Sequence, residues 1–171
     1  MTAPPPVLIK IALALLGLLL LLGVLALAGG RLGWWQGQPP SDLGVKDGRL
    51  KAPSKTANSV SSQALLHPGQ PMQQAAMILP LALNGDAPAT LAKLRRVIEA
   101  MPGAQVVGQR PDYLYARFRS RLMGYVDDAE FWADPVEGVI QVRSASRLGR
   151  KDFDVNRQRI EALRVALAAA R

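Results

Sequence analysis

Two neighbouring segments of the chain carry charged side chains in a pattern that could do chemistry. They read "RSRLMGYVDD" over residues 119–128 and "QVRSASRLGR" over residues 141–150. Guanidinium groups bind carboxylates and phosphates through paired hydrogen bonds, and neighbouring carboxylates can act as general acid and base. Three roles are therefore open: ion pairs on a solvated sheet face, a binding site for an anion, or a catalytic site that uses Asp127 or Asp128.

Both segments belong to predicted β-strands, and strand geometry sorts their side chains by face. Successive side chains of a strand point to opposite sides of the sheet. In "DYLYARFRSR" the arginines therefore lie opposite Leu114 and Phe118, and in "GVIQVRSASR" Arg143 and Arg147 lie opposite Ile140. We expect the arginine face to be solvated, with cross-strand ion pairs worth about 0.2–1 kcal/mol each. The predicted pairs join Arg117, Arg119, Arg121 and Arg143 to Asp128 and Glu130.

The two adjacent aspartates must separate, because they occupy consecutive positions of one strand. One carboxylate meets the arginine face, and the other is directed toward the helix side of the sheet. A buried carboxylate without a partner is costly, and the start of the last helix offers partners. Asn156 lies on the apolar stripe of that helix, Arg157 is next to it, and Asp152 precedes the helix and can cap it. The candidate site for an anion or a partner comprises Arg119, Arg121, Asp127, Asp128, Arg143, Ser144, Ser146, Arg147, Asp152, Asn156 and Arg157.

These segments need a scaffold, which the sequence from residue 77 onward predicts. A short apolar strand, "MILPLAL", precedes a helix, "APATLAKLRRVIEAM", with Asp86 in position to cap it. Four strands separated by turn residues follow, and a last helix runs from about Asp154 to Ala170. Strands joined by short turns pair antiparallel. The prediction is a two-layer α+β domain over residues 77–171, of order β-α-β-β-β-β-α, in which two helices cover one face of a sheet of four to five strands.

The N-terminal part predicts a membrane segment. Residues 11–30 form an uncharged run of twenty residues, the length that an α-helix needs to cross a bilayer, with Trp34 and Trp35 placed for an interfacial aromatic belt. A cleaved signal peptide is the alternative, since "ALA" at 26–28 fits signal peptidase, but the run exceeds the usual core of about 7–15 residues. We predict a single-span anchor over residues 1–33, in contact with membrane lipid through the uncharged run. The flanking charges do not decide its orientation.

Residues 34–76 are rich in Pro, Gly, Ser and Gln without a sustained period, which predicts an extended linker. Such a segment lies either against its own domain or against a partner. Ser59, Ser61 and Ser62 are ordinary residues for a loop of this composition, so we do not assign them as nucleophiles. His67 is interpreted as a solvated turn residue, because Pro68 and Gly69 follow it.

Composition removes several classes of function. The chain has 171 residues, no cysteine and a single histidine, which excludes disulfides and thiolate chemistry and leaves little basis for a zinc site. The net charge of +8 comes from 21 basic residues interleaved with 13 acidic ones, and aromatic residues make up 5% of the chain. Nucleic-acid binding needs a one-sided basic stripe. We predict no metal, no cofactor and no nucleic acid as partner.

Three long motifs carry a family resemblance. "PDYLYARFRSRLMGYVDDAEF", "GVIQVRSASRLG" and "DFDVNRQRIEAL" resemble the bacterial and plastid domain of unknown function numbered 1499 (DUF1499), as does "NSVSSQA" upstream, and the resemblance runs from about Gly48 to Leu167. The candidate site residues fit the family pattern. The resemblance implies no established activity, but it implies a membrane-attached or exported protein with its domain on the periplasmic or lumenal side. The chain departs from the family where Pro53 and Ser59 stand near cysteine positions and Asp154 stands at a common glycine position.

The expected function follows from the anchor, the long linker and the absence of a recognisable catalytic set. We expect a non-catalytic, single-span protein of the bacterial inner membrane with a periplasmic domain. It would serve as an accessory subunit of a larger complex of integral-membrane proteins, with a respiratory or photosynthetic assembly as host. The first alternative is a tethered module that binds an anionic small molecule or a lipid head group at the arginine face. The second is a hydrolase or transferase that uses Asp127 or Asp128.

Overall fold

Residues 6–170 fold into a long apolar helix, a sheet and two further helices. The structure is a computed structural model that describes these residues; the first five residues of the predicted anchor, and Arg171, lie outside the described residues. The elements in chain order are α1 (Pro6–Arg31), β1 (Ser59–Ser61), β2 (Leu81–Ala82), α2 (Ala87–Glu99), β3 (Ala104–Arg110), β4 (Tyr113–Arg119), β5 (Val126–Asp134), β6 (Val139–Ser146) and α3 (Val155–Ala169), with a 3₁₀ turn at Ala64–Leu66.

The described strands pair antiparallel in one sheet of order β1-β6-β5-β4-β3, and β2 pairs with the first residues of β6. The predicted α+β architecture is confirmed. The sheet has six strands, because β1 comes from the segment predicted as a linker. Ser59 of β1 pairs with Ala145, and Ser61 pairs with Arg143. Three small polar and β-branched residues lack the alternation by which strands are predicted.

Helices α2 and α3 cover one face of the sheet, the helix-side face, and enclose the main apolar core. Leu91, Leu94 and Ile98 of α2 and Ile160 and Leu163 of α3 are fully buried. Their partners are the inward residues of the central strands: Leu114, Ala116, Phe118, Ala129, Phe131, Ile140 and Val142. Removing each large side chain from water contributes about 1.5–3 kcal/mol. This burial therefore fixes which face of each strand turns toward the helices.

Aspartates that the sequence predicts as caps precede both α2 and α3. Asp86 precedes α2, and its Oδ1 accepts a hydrogen bond from an amide of the first turn at 2.6 Å. Ahead of α3, Asp152 Oδ2 accepts from the Asn156 amide at 3.0 Å. Phe153 and Asp154 lie between them in the left-handed region, with φ of 54° and 64°. Glycine adopts that region without strain, which explains why the family resemblance places a glycine where Asp154 stands.

The opposite face of the sheet is covered by residues 38–55, which we call the wrap. Leu50 of the wrap is buried against Tyr113 and Trp132, and its amide donates to Gln63 Oε1 at 2.8 Å. The strand β5 is consequently buried along its whole length.

The expectation of a solvated arginine face is wrong for Arg143 and Arg147, which are buried, whereas Arg119 and Arg121 are exposed. Of the predicted cross-strand pairs, Arg143 lies 3.6 Å from Glu130, and Arg117, Arg119 and Arg121 take part in none of the ion pairs of the described chain. The segment predicted as a linker therefore covers the β5–β6 part of this face. We refer to it as the wrapped face.

The helix α1 meets the domain through its last turn. A Cβ atom on Gly30 would lie 2.5 Å from the Met123 carbonyl oxygen, so the turn between β4 and β5 packs directly on the helix backbone. Arg119 Nη2 donates to the Gly30 carbonyl at 2.8 Å, and Trp35 Nε1 donates to the Ala26 carbonyl at 2.9 Å. The preceding turns of α1 are exposed. The helix is long and apolar enough to cross a membrane, a property that it shares with signal sequences.

Candidate functional site

The predicted site residues lie in three separate parts of the molecule. The helix-side group comprises Asp127, Ser144, Ser146, Asp152, Asn156 and Arg157. The wrapped-face group comprises Asp128, Arg143 and Arg147. Arg119 and Arg121 lie at the junction with α1. The sequence thus places the two aspartates on opposite faces correctly, but the residues do not form one site.

The inward aspartate, Asp127, is paired with an arginine of α3 that the sequence interpretation misses. Arg159 Nη2 donates to Asp127 Oδ2 at 2.5 Å, and the guanidinium lies 4.5 Å from the Phe118 ring centroid. The expected partners were wrong. Asn156 lies in the same network without contacting the carboxylate, and Arg157 donates instead to carbonyls of the segment before β2. One turn separates Asn156 from Arg159, so helical spacing is the signal that could have found the pair.

Asn156 is the centre of a closed polar network on the helix-side face. Its Oδ1 accepts from Ser144 Oγ at 2.5 Å and from Arg159 Nη1 at 2.6 Å. Its Nδ2 donates to Ser146 Oγ at 3.1 Å and to Asp152 Oδ2 at 2.8 Å. The buried side-chain atoms that lack a partner in the described chain all lie elsewhere. A fully satisfied network of this kind rigidifies a core, so we assign the helix-side group a structural role.

Asp128 on the wrapped face is held by a bidentate ion pair. Arg147 Nε donates to Asp128 Oδ2 at 2.7 Å, and Arg147 Nη2 donates to Asp128 Oδ1 at 2.7 Å. The Tyr115 hydroxyl donates to the same carboxylate. Both ionic side chains are almost completely buried. The hydrogen bonds to Asp128 raise the pKa of Arg147 above its ordinary value. This pair satisfies its own charges and leaves little for a ligand to replace.

The neighbouring pair, Glu130 and Arg143, is buried but incompletely bonded. Arg143 Nη1 lies 3.6 Å from Glu130 Oε2, too far for a hydrogen bond. Glu130 Oε1 accepts from the Gly44 amide at 2.7 Å and from the Tyr113 hydroxyl at 2.8 Å, whereas Oε2 has no hydrogen-bond partner in the described chain. Burial raises the pKa of Glu130 and lowers the pKa of Arg143. Each group therefore bears a desolvation cost that its partner offsets only in part.

A cavity of about 410 Å³ opens between the wrap and the β5–β6 strands, beside Arg143. Its volume falls within the range of small-molecule sites, about 300–1,000 Å³. Within the described residues, Arg143 donates a side-chain hydrogen bond through Nε, to the Ala52 carbonyl at 3.2 Å. A guanidinium carries five N–H donors, so its terminal amino groups remain available at the cavity wall. The cavity is lined by Gln38, Pro40, Lys51, Ala52, Pro53, Ser54, Lys55, Gln70, Asp128, Arg143, Ala145, Ser146 and Arg147.

The charges around this cavity favour an anion. Four basic side chains line it against the single carboxylate of Asp128, and that carboxylate is already bound by Arg147. Lys51 Nζ lies 2.5 Å from Asp42 Oδ1, and this hydrogen bond lowers the pKa of Asp42. Lys55 is exposed at the rim. The arrangement can bind a carboxylate or a phosphate through Arg143 and Lys55, since Lys51 is already paired with Asp42.

Catalysis by the aspartates has no geometric support. Asp127 and Asp128 face opposite sides of the sheet, and each is held in an ion pair. They cannot act on one substrate together. Within residues 6–170, no group of three or more histidine, aspartate or glutamate side chains is placed to hold a metal ion.

The chain combines a helix that is long and apolar enough to cross a membrane with an α+β domain that holds a basic cavity under the wrap. The family model described as "Protein of unknown function (DUF1499)" matches residues 41–167, so the chain belongs to this family and the resemblance is confirmed. The match begins inside the wrap, which agrees with the wrap being part of the folded domain. No curated protein and no solved structure matches the chain.

Proposed function

We propose that this protein is a non-catalytic, membrane-anchored module that binds a small carboxylate- or phosphate-bearing molecule in the basic cavity. The observation that carries the proposal is the state of Arg143. Its side chain is only 6% exposed, it lines the cavity, and its nearest carboxylate is at 3.6 Å. A buried cation without full compensation is costly. An anion in the cavity would supply the missing charge-assisted hydrogen bonds, which are the strong ones.

The position of the module relative to the membrane is part of the proposal. We place α1 across the bacterial inner membrane and the domain in the periplasm. The 26-residue length of α1, its uncharged run over residues 11–30 and its exposed surface support a membrane span, and the family resemblance supports the side. Intact-mass measurement of the membrane-extracted protein tests retention of α1. A C-terminal alkaline phosphatase fusion, active only in the periplasm, tests the side; an inactive fusion contradicts it.

Calorimetric titration of the full chain in detergent tests the cavity. Inorganic phosphate, citrate and glycerol 3-phosphate are suitable probes. The change Lys55→Gln removes an exposed cavity charge without touching a buried group. We expect it to weaken binding by up to about fivefold, because an ion pair at an exposed position contributes about 0.2–1 kcal/mol. The control Lys93→Gln makes the same change on α2. Equal weakening in both variants, or no binding of any probe by the parent chain, overturns the proposal.

A larger loss is expected for Arg143→Gln, which removes the central donor. Charged hydrogen bonds contribute about 1.5–3 kcal/mol, which is about tenfold or more in affinity. This variant also leaves Glu130 buried without its nearest cation, so thermal unfolding must accompany the titration. If binding survives in the folded variant, Arg143 is not the central donor of the site.

A second function, accessory subunit of a larger membrane complex with a respiratory or photosynthetic host, is favoured by Phe153. This aromatic side chain is 76% exposed although its backbone has φ of 54°, a strained region for a residue with a side chain. Exposed aromatic residues are frequent anchors in interfaces. The change Phe153→Ala should then abolish co-migration with the host on native gels. The control is Val136→Ala, since Val136 is exposed on the β5–β6 turn.

A further inference from the structure

We infer that the junction between α1 and the β4–β5 turn is a binding site for the phosphate of an anionic phospholipid. A cavity of about 370 Å³ lies at this junction, distinct from the basic cavity on the wrapped face. It is lined by Gly30, Arg31, Pro102, Gly103, Arg119, Ser120, Arg121, Leu122 and Gly124. The inference rests on the proposed insertion of α1 in a bilayer and goes beyond the binding of a soluble anion.

The walls of the junction cavity are set by close backbone contacts. A Cβ atom on Gly103 would lie 2.2 Å from the Arg119 carbonyl oxygen, and one on Gly124 would lie 2.4 Å from the Gly30 carbonyl oxygen. Both glycines have positive φ, of 75° and 67°. The helix end, the start of β3 and the β4–β5 turn are therefore held together by backbone atoms, which makes the cavity a built feature of the fold.

The charges of the junction cavity all have one sign. Three arginines line it, and no acidic residue is among the lining residues. Arg119 is fixed by its hydrogen bond to the Gly30 carbonyl. Arg31 and Arg121 are exposed and take part in none of the ion pairs of the described chain. Two free guanidinium groups beside a fixed one form a cradle for a phosphate.

The apolar surroundings of the junction cavity favour a phospholipid over a soluble anion as its ligand. Its wall includes the last turn of a helix whose apolar side chains are exposed over the preceding turns. Leu32 and Leu122 are 72% and 71% exposed beside it, and Trp34 is 65% exposed. Arginine, tryptophan and exposed leucine together are typical of the boundary between head groups and acyl chains. A phospholipid can place its phosphate on the arginines while its chains follow α1, which a soluble anion cannot do.

Native mass spectrometry of the full chain tests the inference, with the protein in a non-ionic detergent and equal amounts of dioleoyl phosphatidylglycerol and dioleoyl phosphatidylcholine. The parent chain should retain phosphatidylglycerol in preference to phosphatidylcholine. The double change Arg31→Gln and Arg121→Gln should lower that retention at least tenfold, since each basic group near the surface contributes about fivefold. The control Arg110→Gln changes the same charge at the other end of β3, about 20 Å from Gly103.

The outcomes separate the possible sources of the phosphate. No preference for phosphatidylglycerol, or an equal loss in the Arg110→Gln control, overturns the inference. Displacement of the lipid by millimolar inorganic phosphate also overturns it, because the site is then one for a soluble anion. The cavity on the wrapped face is tested with Lys55→Gln, which leaves the junction intact, so either proposal can fail without the other.

Discussion

The two faces of the sheet both bury charged side chains, but they satisfy the polar atoms around those charges to different extents. Each face receives one of two adjacent aspartates, and each pairs it with an arginine, Arg159 on the helix-side face and Arg147 on the wrapped face. On the helix-side face the surrounding polar atoms form a closed network. On the wrapped face Glu130 Oε2, and near the wrap Gln70 Oε1 and His67 Nε2, are buried without a partner.

The difference separates a face that is closed by packing from a face that retains a cavity. Two helices with apolar stripes enclose the helix-side face, and every polar group there must be satisfied because water is excluded. The wrap has few apolar anchors, chiefly Leu50 and Val45, and leaves a cavity beside charged groups. The unpartnered oxygens of Glu130 and Gln70 are acceptors that an anion would not satisfy, so the donor capacity of this face lies in Arg143 at the cavity wall.

The largest effect is expected from breaking the helix-side ion pair. The change Arg159→Met leaves Asp127 buried without a cation, which should lower the free energy of unfolding by about 3–5 kcal/mol. Urea unfolding followed by circular dichroism measures it. The control Arg95→Met removes an exposed pair with Glu99, expected to cost about 0.3–0.5 kcal/mol. A loss below about 1 kcal/mol for Arg159→Met contradicts the structural role of the network.

A smaller and local effect is expected from loosening the wrap. The change Leu50→Ala should cost about 2–3 kcal/mol, the lower part of the range for buried leucine, because the wrap can settle into the space. Hydrogen exchange should speed up for amides of the wrap and stay slow in β5. In Leu163→Ala, the matched change in the main core, exchange should rise throughout the domain. Uniform acceleration in both variants would show that the wrap and the core unfold as one unit.

A change in the incompletely bonded pair of Glu130 and Arg143 should lower the free energy of unfolding only modestly. The change Glu130→Gln keeps an acceptor for the Gly44 amide and the Tyr113 hydroxyl but removes the carboxylate nearest to buried Arg143. Because that pair is not hydrogen-bonded, we expect a loss of about 1–2 kcal/mol at neutral pH, less than for the bonded pair of Asp127 and Arg159. Burial raises the pKa of Glu130, so the folded state binds the proton more tightly than the unfolded state. The contribution of Glu130 is therefore greatest below its unfolded pKa of about 4.3 and falls as pH rises through the folded value.

The pH dependence can be isolated by subtraction. The difference in unfolding free energy between the parent chain and Glu130→Gln, measured by urea unfolding from pH 4 to 8, should shift against the parent as pH rises. A difference that is constant with pH would mean that the folded carboxylate titrates at its ordinary pKa.

The smallest effect is expected at His67. Burial lowers the pKa of this side chain below its ordinary value of 6.5, so the unfolded state takes up the proton first. The parent chain should lose stability as pH falls through 6.5 toward the folded pKa, and His67→Gln should lack that component. Thermal unfolding at pH 7.5 and 5.5 measures the difference. An identical pH response in both chains contradicts the burial of the imidazole.

Sequence reasoning reaches the main elements because their signals are local. The alternation of Leu114, Ala116 and Phe118 assigns the strand faces, and the spacing of Leu91, Leu94 and Ile98 assigns α2. Sequence reasoning does not find the wrap and β1, because their partners lie far along the chain and their own residue pattern is that of a loop. The ion pair of Asp127 with Arg159 escapes because a charged residue beside an apolar stripe is normally solvated. The one-turn spacing from Asn156 places Arg159 near the buried face of α3, but its contact with Asp127 depends on how α3 lies on β5.

The pairing of β1 with β6 has a consequence for biogenesis. Ser59 leaves the ribosome about 86 residues before its partner Ala145, which is roughly 5–15 s of synthesis at about 5–20 residues per second. During that interval residues 59–61 have no strand to pair with, and the segment around them stays a free tether. Only when β6 arrives can the tether close over the sheet, so the basic cavity cannot form until most of the chain has been synthesised.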